Sequence, residues 1–513
     1  MKKSLTLLMG SAALVLALGA CGPTTSESTE QTSTTPTPSE SSTSEPTSSE
    51  TPEHLDKNVI PADKAVQIDV WHTFNDEYTN TIKGIIEKFK DVEPNVTVNL
   101  VKQTGSYDQL KDKVVKGFSA DNYPDLTIAY PDHVAEYIDY GKSVNLDSFM
   151  DNPVYGWTSA EKKDVITNYL DEGQSYSIEG TYSLPFAKST EAMFYNADVL
   201  IGLNLKTEDP TINGGNALDE AYLNDLTWEE LFNKLCPAII SYNEKLAADQ
   251  KILKNDLPHH AVVGYDSDDN LFITLAEQYG YNYTEIDKAT GKGKVLFNNP
   301  EMKALMKTFN NAYKKHYIVT KASNENNYVN DLFTASNSLF SIGSTGGTKH
   351  QYSKDFKTGV AKIPHAEGGD PTVINQGPSL TMLRHGNDDV AKNRQLAAWL
   401  FYKFATNTTN TTMWGVNTSY MPVRYSAYTT AVYLDYANPE GKEGDTALLA
   451  RVAAYNPTVQ DDLFTSPVFR GSSACRVQAG SIMYQCLIAE TLDDATINNY
   501  FATAENNAKK EIK

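Results

Sequence analysis

Residues 176–196 read YSIEGTYSLPFAKSTEAMFYN, and the proline in this stretch decides how the rest of the chain is arranged. Gly180 makes a turn, Tyr182, Leu184, Pro185 and Phe186 form an extended aromatic segment, and Ser189 and Thr190 offer small hydroxyls. An apolar strand, Ala192 to Tyr195, follows and is stopped by Asn196. Proline removes a ladder donor, so one strand pauses at Pro185 and resumes on the other side. An extended crossing with exposed hydroxyl and aromatic groups suits a strand passing between two lobes, and clefts between lobes favour small-ligand sites. On local sequence alone, one edge strand with a surface turn accounts for the same residues.

Upstream, Val66–Val70 alternates as a half-buried strand and ends at Trp71-His72-Thr73-Phe74. Ile82, Ile85, Ile86 and Phe89 then fall at helical spacing, Pro94 stops that helix, and Val96–Val101 reads as a second strand. Strand, helix and strand with short links form a βαβ unit and imply a parallel sheet. A helix from Tyr107 to Phe118 leads through Pro124 to a strand at Leu126–Tyr130. Ligands in open α/β sheets sit beyond the carboxyl ends of strands, which makes the Trp71–Phe74 segment and Tyr130 candidates.

The chain opens with Lys2 and Lys3, an apolar run from Leu5 to Leu18, and Gly19-Ala20-Cys21. This is a secretory signal, too short to span a membrane. The cysteine after Gly-Ala resembles a bacterial lipoprotein signal, which implies a peptide at 1–20 and a lipid on Cys21. Of the 31 residues from Gly22 to Pro52, 19 are Ser or Thr, so residues 21–58 are expected to be a disordered spacer with nothing to bury. The net charge of −21 argues against nucleic acid as a partner. Only Cys236, Cys475 and Cys486 remain beyond Cys21, so there is no disulfide framework. If Arg476–Gln485 is one helix, Cys475 and Cys486 stand about 16 Å apart, too far to bridge. No C-x-x-C occurs, and no metal or cofactor is expected.

Downstream, Thr227-Trp228-Glu229-Glu230-Leu231 begins a helix capped by Thr227. Asp266-Ser-Asp268-Asp-Asn270, with Glu277 in the twelfth position, has the spacing of a calcium loop but carries Leu271 where that loop needs glycine. A capped helix facing a cleft explains the same residues. Phe340–Ser344 is a strand ending in the small-residue turn Thr345-Gly-Gly347; Val360–Ile363 and Leu380–Leu383 are further strands. Leu396, Trp399, Leu400 and Phe404 form an apolar helical face that belongs to the core. Trp414–Arg424 and Arg470–Arg476 read as two loops, one aromatic and one basic.

Together and in this order, the lipobox, WHTF, NYPDLTIAY, YSLPFAKSTEAMFYN, LTWEEL, GVNTSYMPVR and FRGSSACR resemble a bacterial extracellular solute-binding protein of an ABC importer. The likeness is to family 1, which includes maltodextrin- and glycerol-3-phosphate-binding proteins, and it spans nearly all of residues 60–500. It implies an α/β, two-lobed periplasmic-binding-protein-like fold of type II, each lobe a mostly parallel sheet flanked by helices. Residues 59–186 plus 378–417 would form the N-terminal lobe, and 187–377 plus 418–513 the C-terminal lobe. Tyr182–Thr190, Gln376–Leu380 and Asn417–Val423 would be the hinge crossings. Carried over residue by residue, the cleft would be lined by His72, Phe74, Tyr107, Ser189, Thr190, Trp228, Ser344, Thr345, Gln376, Gly377, Tyr420 and Arg470.

A pyranose has apolar faces and a rim of hydroxyls, so Trp228, Tyr420 and Trp414 suit stacking while Ser, Thr, Gln and Asp order the rim. A polyol phosphate such as glycerol-3-phosphate needs a fixed cation instead, and Arg470 stands where the family's glycerol-3-phosphate binders place one. The expected function is therefore a non-enzymatic, monomeric receptor. It is lipid-anchored on the extracellular face of the membrane and passes a carbohydrate, an oligosaccharide, or alternatively a polyol phosphate, to a permease. A surface adhesin and a secreted glycoside hydrolase are the readings from other classes. The hydrolase would need two flanking carboxylates, and no G-x-S-x-G or H-E-x-x-H motif is present.

Overall fold

The computed structural model describes residues 57–512; the signal peptide, Cys21 and nearly all of the spacer lie outside the described residues. The N-terminal lobe starts with β1 (Val66–His72), which buries Ile68, Val70 and His72 on alternate positions. A helix, Asp76–Lys90, returns along the sheet with Ile82, Ile85, Ile86 and Phe89 facing inward, its first turn capped by Asn75. β2 (Val96–Lys102) pairs parallel with β1. The helix Tyr107–Ala120, with a Ser106–Gln109 capping box, then leads to the fully buried β3 (Leu126–Ala129) and the helix Pro131–Asp139. Thus the expected βαβ units form as their periodicity dictates.

β4 (Leu184–Pro185) ends at the proline, and β5 (Glu191–Asn196) belongs to a different sheet. The C-terminal lobe continues with β6 (Val263–Tyr265), the helix Asp268–Gln278, a hairpin of β7 (Thr284–Ile286) and β8 (Gly293–Val295), and the helix Pro300–Lys314. Next come β9 (Ile318–Thr320), β10 (Phe340–Ser344) and β11 (Thr358–Ala361). β12 (Val373–Ile374) pairs with β14 (Leu463–Phe464), while β13 (Ser379–Met382) goes back to the first lobe. The two large sheets have strand orders β2-β1-β3-β13-β4 and β11-β5-β10-β6-β9, and each lobe has its own apolar core.

Three features differ from expectation. Both sheets are evenly mixed and not mostly parallel: β13 runs antiparallel to β3 and β4, and β5 antiparallel to β10 and β11. These are the strands that follow a crossing, so each enters its sheet from the hinge end, opposite to the βαβ strands. Second, Trp414 lies in a helix, Thr408–Thr418, and not in a loop. Its threonine-rich first turns have weak helix propensity, and burial of Asn410, Thr411, Thr412 and Trp414 overrides it. Third, the basic loop is short: Gly471, at φ +98°, introduces a helix from Ser472 to Ile488 that contains Arg476. Cys475 and Cys486 sit on that helix as free, buried thiols.

The hinge is a three-stranded ladder. Ser189 and Gln376 exchange backbone hydrogen bonds of 2.9 and 3.0 Å, and the Met421 N–H donates to the Lys188 carbonyl at 2.6 Å. The first crossing therefore lies between the other two. Gly377, at φ +91°, is required there, because a Cβ would stand 2.1 Å from the Ala187 carbonyl oxygen.

Candidate functional site

A cleft of about 1030 Å³ lies between the lobes and over the crossings. Its N-terminal wall is made by the first turns of the helices Tyr107–Ala120 and Pro131–Asp139, beyond the carboxyl ends of β2 and β3. Opposite, the C-terminal wall comes from the segment after β6 (Asp266–Asn270), the segment after β9 (Lys321 and Ala322) and the helix Ser472–Ile488. Glu172, Asn375 and Gln376 form the floor. Strand ends thus deliver side chains to the cleft from both sides.

On the first wall Tyr107 and Tyr130 meet edge to face at 5.1 Å between centroids. Burial, with Tyr420 and Tyr130 beside it, pushes the Tyr107 hydroxyl well above the usual phenol range, so it remains a neutral donor. His133 Nε2 lies 3.0 Å from Asp108. Burial opposes charge on this imidazole, but Asp132 and Asp108 outweigh it and its pKa is raised.

On the second wall Arg476 pairs with Asp269 at 2.7 Å and donates to Asn270 Oδ1. Asn270 Nδ2 in turn donates to Glu191 at 2.8 Å and to Gln376 Oε1 at 3.3 Å. Glu191 also accepts from the Tyr265 hydroxyl. Burial pushes its carboxyl up to about 7 against those two hydrogen bonds. A hydrogen-bonded chain thus runs from the cleft surface to the core of the lobe and to the hinge. Asp266 accepts from the Val329 N–H at 2.9 Å, and burial lifts its carboxyl to about 6. Asp268 accepts from Thr320 and from the Ala322 N–H. On the floor, Asn375 Oδ1 and Gln376 Nε2 are buried without a protein partner: one acceptor and one donor.

The residues expected from sequence divide sharply. Tyr107, Gln376 and the strand-end Tyr130 line the cleft. Ser189 and Thr190 are buried in the crossing, where Thr190 Oγ1 donates to the Ile374 carbonyl at 2.8 Å. Ser344 reaches Ser189 at 3.4 Å, and Thr345 accepts from the Thr190 N–H at 3.2 Å, so these hydroxyls tie β10 to the hinge. Gly377 shapes the same crossing and gives its carbonyl to Lys188 at 3.0 Å.

His72 and Phe74 are buried; the Phe74 N–H donates to His72 Nδ1 at 3.1 Å. Trp228 lies in the C-terminal core beside Phe309, with its indole N–H on Gln278 Oε1 at 3.0 Å. Trp414 packs on Phe186 at 4.8 Å in the N-terminal core, with the half-buried Tyr420 stacked against it. Large aromatics give up the most water-exposed area on burial, which is why the structure places three of these rings in cores and not on the cleft wall. Arg470 is bound to Asp139 of the other lobe.

Asp132, Asn375 and Arg476 were not anticipated as cleft residues, and Asp269 and Asn270 only as part of a segment opening a helix that faces a cleft. Most sit in first helical turns, where Asp and Asn also serve as ordinary caps. The one usable signal was the Asp266–Asn270 segment, which indeed opens a helix at the cleft. Among the described residues no group of three or more His, Cys, Asp or Glu is placed to hold a metal ion.

Residues 84–440 match the family model described as bacterial extracellular solute-binding protein. Among solved structures, UgpB from Mycobacterium tuberculosis in complex with glycerophosphocholine is similar over 87% of this chain and 98% of its own, at 18% identity and a TM-score of 0.62. The sugar-binding protein MalE from Xanthomonas citri covers the same shares at 14% identity and a TM-score of 0.63. Maltose-bound MalE3 from T. maritima covers 87% and 100% at 15% identity and a TM-score of 0.60. At these identities the likeness speaks for the two-lobed fold. Comparison with curated proteins found no match.

Proposed function

The chain belongs to the bacterial extracellular solute-binding protein family, and from that premise we propose that it is the receptor of an ABC importer for a neutral carbohydrate. In this reading the lobes, divided at 186/187, 377/378 and 417/418, close on the ligand by hinge motion, and the loaded receptor meets a membrane permease. Two of the similar proteins are described as bound to maltose and to glycerophosphocholine, so a sugar and a phosphodiester are the two chemistries to decide between.

One observation carries the choice: the cations at the cleft are already engaged. Arg476 is paired with Asp269, Lys111 lies 3.1 Å from both Asp112 and Glu136, and Lys321 sits over the Tyr328 ring at 3.7 Å. Arg470, the cation expected to anchor a phosphate, is held by Asp139. A phosphodiester needs a free bidentate donor. A polyol needs aromatic faces and a mixture of donors and acceptors, which Tyr107, Tyr130, Asn375 and Gln376 supply.

Export and tethering through a lipid on Cys21 complete the proposal; the Ser/Thr-rich spacer then holds the body off the membrane. Among the described residues no helix is long and apolar enough to cross a membrane. A thermal-shift screen of neutral oligosaccharides against glycerophosphodiesters tests the ligand class. A ligand that binds only the folded state adds about 2.7 kcal/mol at a hundredfold excess over its Kd. A melting-temperature rise with a neutral sugar is expected; a rise with phosphodiesters alone would overturn the choice.

A further inference from the structure

Resting on the carbohydrate reading above, we infer that Glu191, buried beneath the cleft, is a specificity-determining positioning residue: through Asn270 it fixes Gln376 as a donor on the cleft floor. Glu191 opens β5 just after the first crossing and is 1% exposed. Its Oε2 accepts from the Tyr265 hydroxyl, and its Oε1 accepts from Asn270 Nδ2 at 2.8 Å. The other N–H of that amide goes to Gln376 Oε1 at 3.3 Å, while Arg476 donates to Asn270 Oδ1. A guanidinium only donates, so a single orientation of the Asn270 amide fits. Reversed, it would set N–H against the guanidinium and oxygen against the carboxylate. Gln376 follows, because an N–H turned towards Asn270 would meet another N–H. Its Oε1 is committed, and Nε2 is the atom left without a protein partner.

The neighbouring side chain is set the opposite way. Asn375 Nδ2 donates to Glu172 at 3.2 Å and to Thr465 Oγ1 at 3.4 Å, which leaves Oδ1 as an acceptor without a protein partner. Two buried carboxylates thus give adjacent cleft residues of the second crossing fixed and opposite polarity. Buried donors and acceptors left unmade are costly, and a ligand that supplies both partners removes that cost. Two neighbouring hydroxyls do so, one accepting from Gln376 and the other donating to Asn375. A carboxylate, sulfate or phosphate only accepts and would set an anion against Asn375 Oδ1; an ammonium only donates and would oppose Gln376 Nε2. The floor therefore selects an uncharged ring with two free hydroxyls, and Glu191 governs that choice without contacting the ring.

The test is a double-variant cycle read by calorimetry, with di- to tetrasaccharides of an α-glucan, a β-glucan, a xylan and a mannan as probes. For a probe that binds, Glu191→Met, which fills the space without an acceptor, should weaken Kd about tenfold. Glu191→Gln still accepts from Asn270 and should stay within about threefold of the wild type. In a Gln376→Ala background, Glu191→Met should change Kd by less than about twofold, because the side chain it orients is gone. A role in packing alone would lower stability without producing that pattern. Should Glu191→Met fail to fold, Asn270→Asp runs the same cycle: nearly identical in shape, it draws the Gln376 N–H inward and turns Oε1 to the ligand. An unchanged Kd, or an equal loss with and without the Gln376 side chain, overturns the positioning role while the carbohydrate reading stands. Failure of every probe to bind folded wild-type protein removes the carbohydrate reading, and this assignment with it.

Discussion

Lys188 donates its ammonium to Glu172, and both side chains are completely buried at the centre of the hinge. Lys188 belongs to the first crossing and also holds the Gly377 carbonyl, while Glu172 accepts from Asn375 at 3.2 Å and Ser379 at 3.1 Å in the second. Burial pushes the Glu172 carboxyl up and the Lys188 ammonium down, each partly restrained by the other.

Removing one partner of such a pair leaves a buried charge. Lys188→Met should therefore cost about 3–5 kcal/mol of stability, read from the urea midpoint. The double variant Glu172→Gln/Lys188→Met should lose less than the single one. A double variant as unstable as the sum of both single changes would contradict the pairing.

Glu191 and His72 impose opposite pH dependences. The Glu191 carboxyl is raised from 4.5 to about 7, so the folded state keeps its proton across that window. Stability from this group falls as pH rises from 4.5 to 7 and is flat above. His72 is lowered from 6.5 to about 4 by burial, then Lys102 and Lys83, so the unfolded chain is protonated first. Its contribution is lost as pH falls through that range. Glu191→Gln should remove the first slope and leave the second, measured as the urea midpoint between pH 4 and 8.

Trp228 and Tyr107 should separate stability from binding. Trp228→Ala opens the C-terminal core and strands the Gln278 acceptor, at a cost of about 3–5 kcal/mol. Tyr107→Ala, at a half-buried cleft position, should change stability by about 1 kcal/mol or less and weaken ligand about tenfold. Equal melting temperatures for the two variants would refute the core placement of Trp228.

The two arginines should also behave differently. The Arg470–Asp139 pair is partly exposed, with side chains 30% and 42% accessible, so Arg470→Ala should cost about 0–1 kcal/mol and lower ligand affinity only a few-fold. That loss should shrink in high salt. Arg476→Ala removes the donor to Asn270 and the partner of Asp269; affinity should drop about tenfold or more at any ionic strength. Titration of both variants at two salt concentrations decides it.

How far sequence reading reached depended on what each pattern encodes. Strand alternation at Val66–Val70 and helical spacing at Ile82–Phe89 report a single buried face, and both elements formed there. Pro185 marked a real passage between sheets, since β4 and β5 lie in different ones. The mixed strand directions were hidden because local patterning does not record which end of a sheet a strand enters. The cleft was harder. Trp228, Trp414 and Phe74 carry the groups that suit sugar stacking, yet the same area fits them for cores. Arg476 and Asp269 come together from helices far apart in sequence, and nothing in either segment announces the other. Tyr130 was reachable because a strand end places a side chain independently of such partners, whereas Tyr107, the first residue of a helix, came only from the family resemblance.

β13 has a consequence for how the chain matures. It sits between β3 and β4, inside the first lobe's sheet and not at its edge. A chain delivered from its amino end therefore carries β3 with an open hydrogen-bonding edge until residues 379–382 arrive. The lobe that begins first is finished late, after most of its neighbour has been supplied. A fragment that ends before residue 379 lacks an internal strand of the first lobe's sheet, and assembly of that lobe depends on long-range strand insertion, the slow kind of folding step.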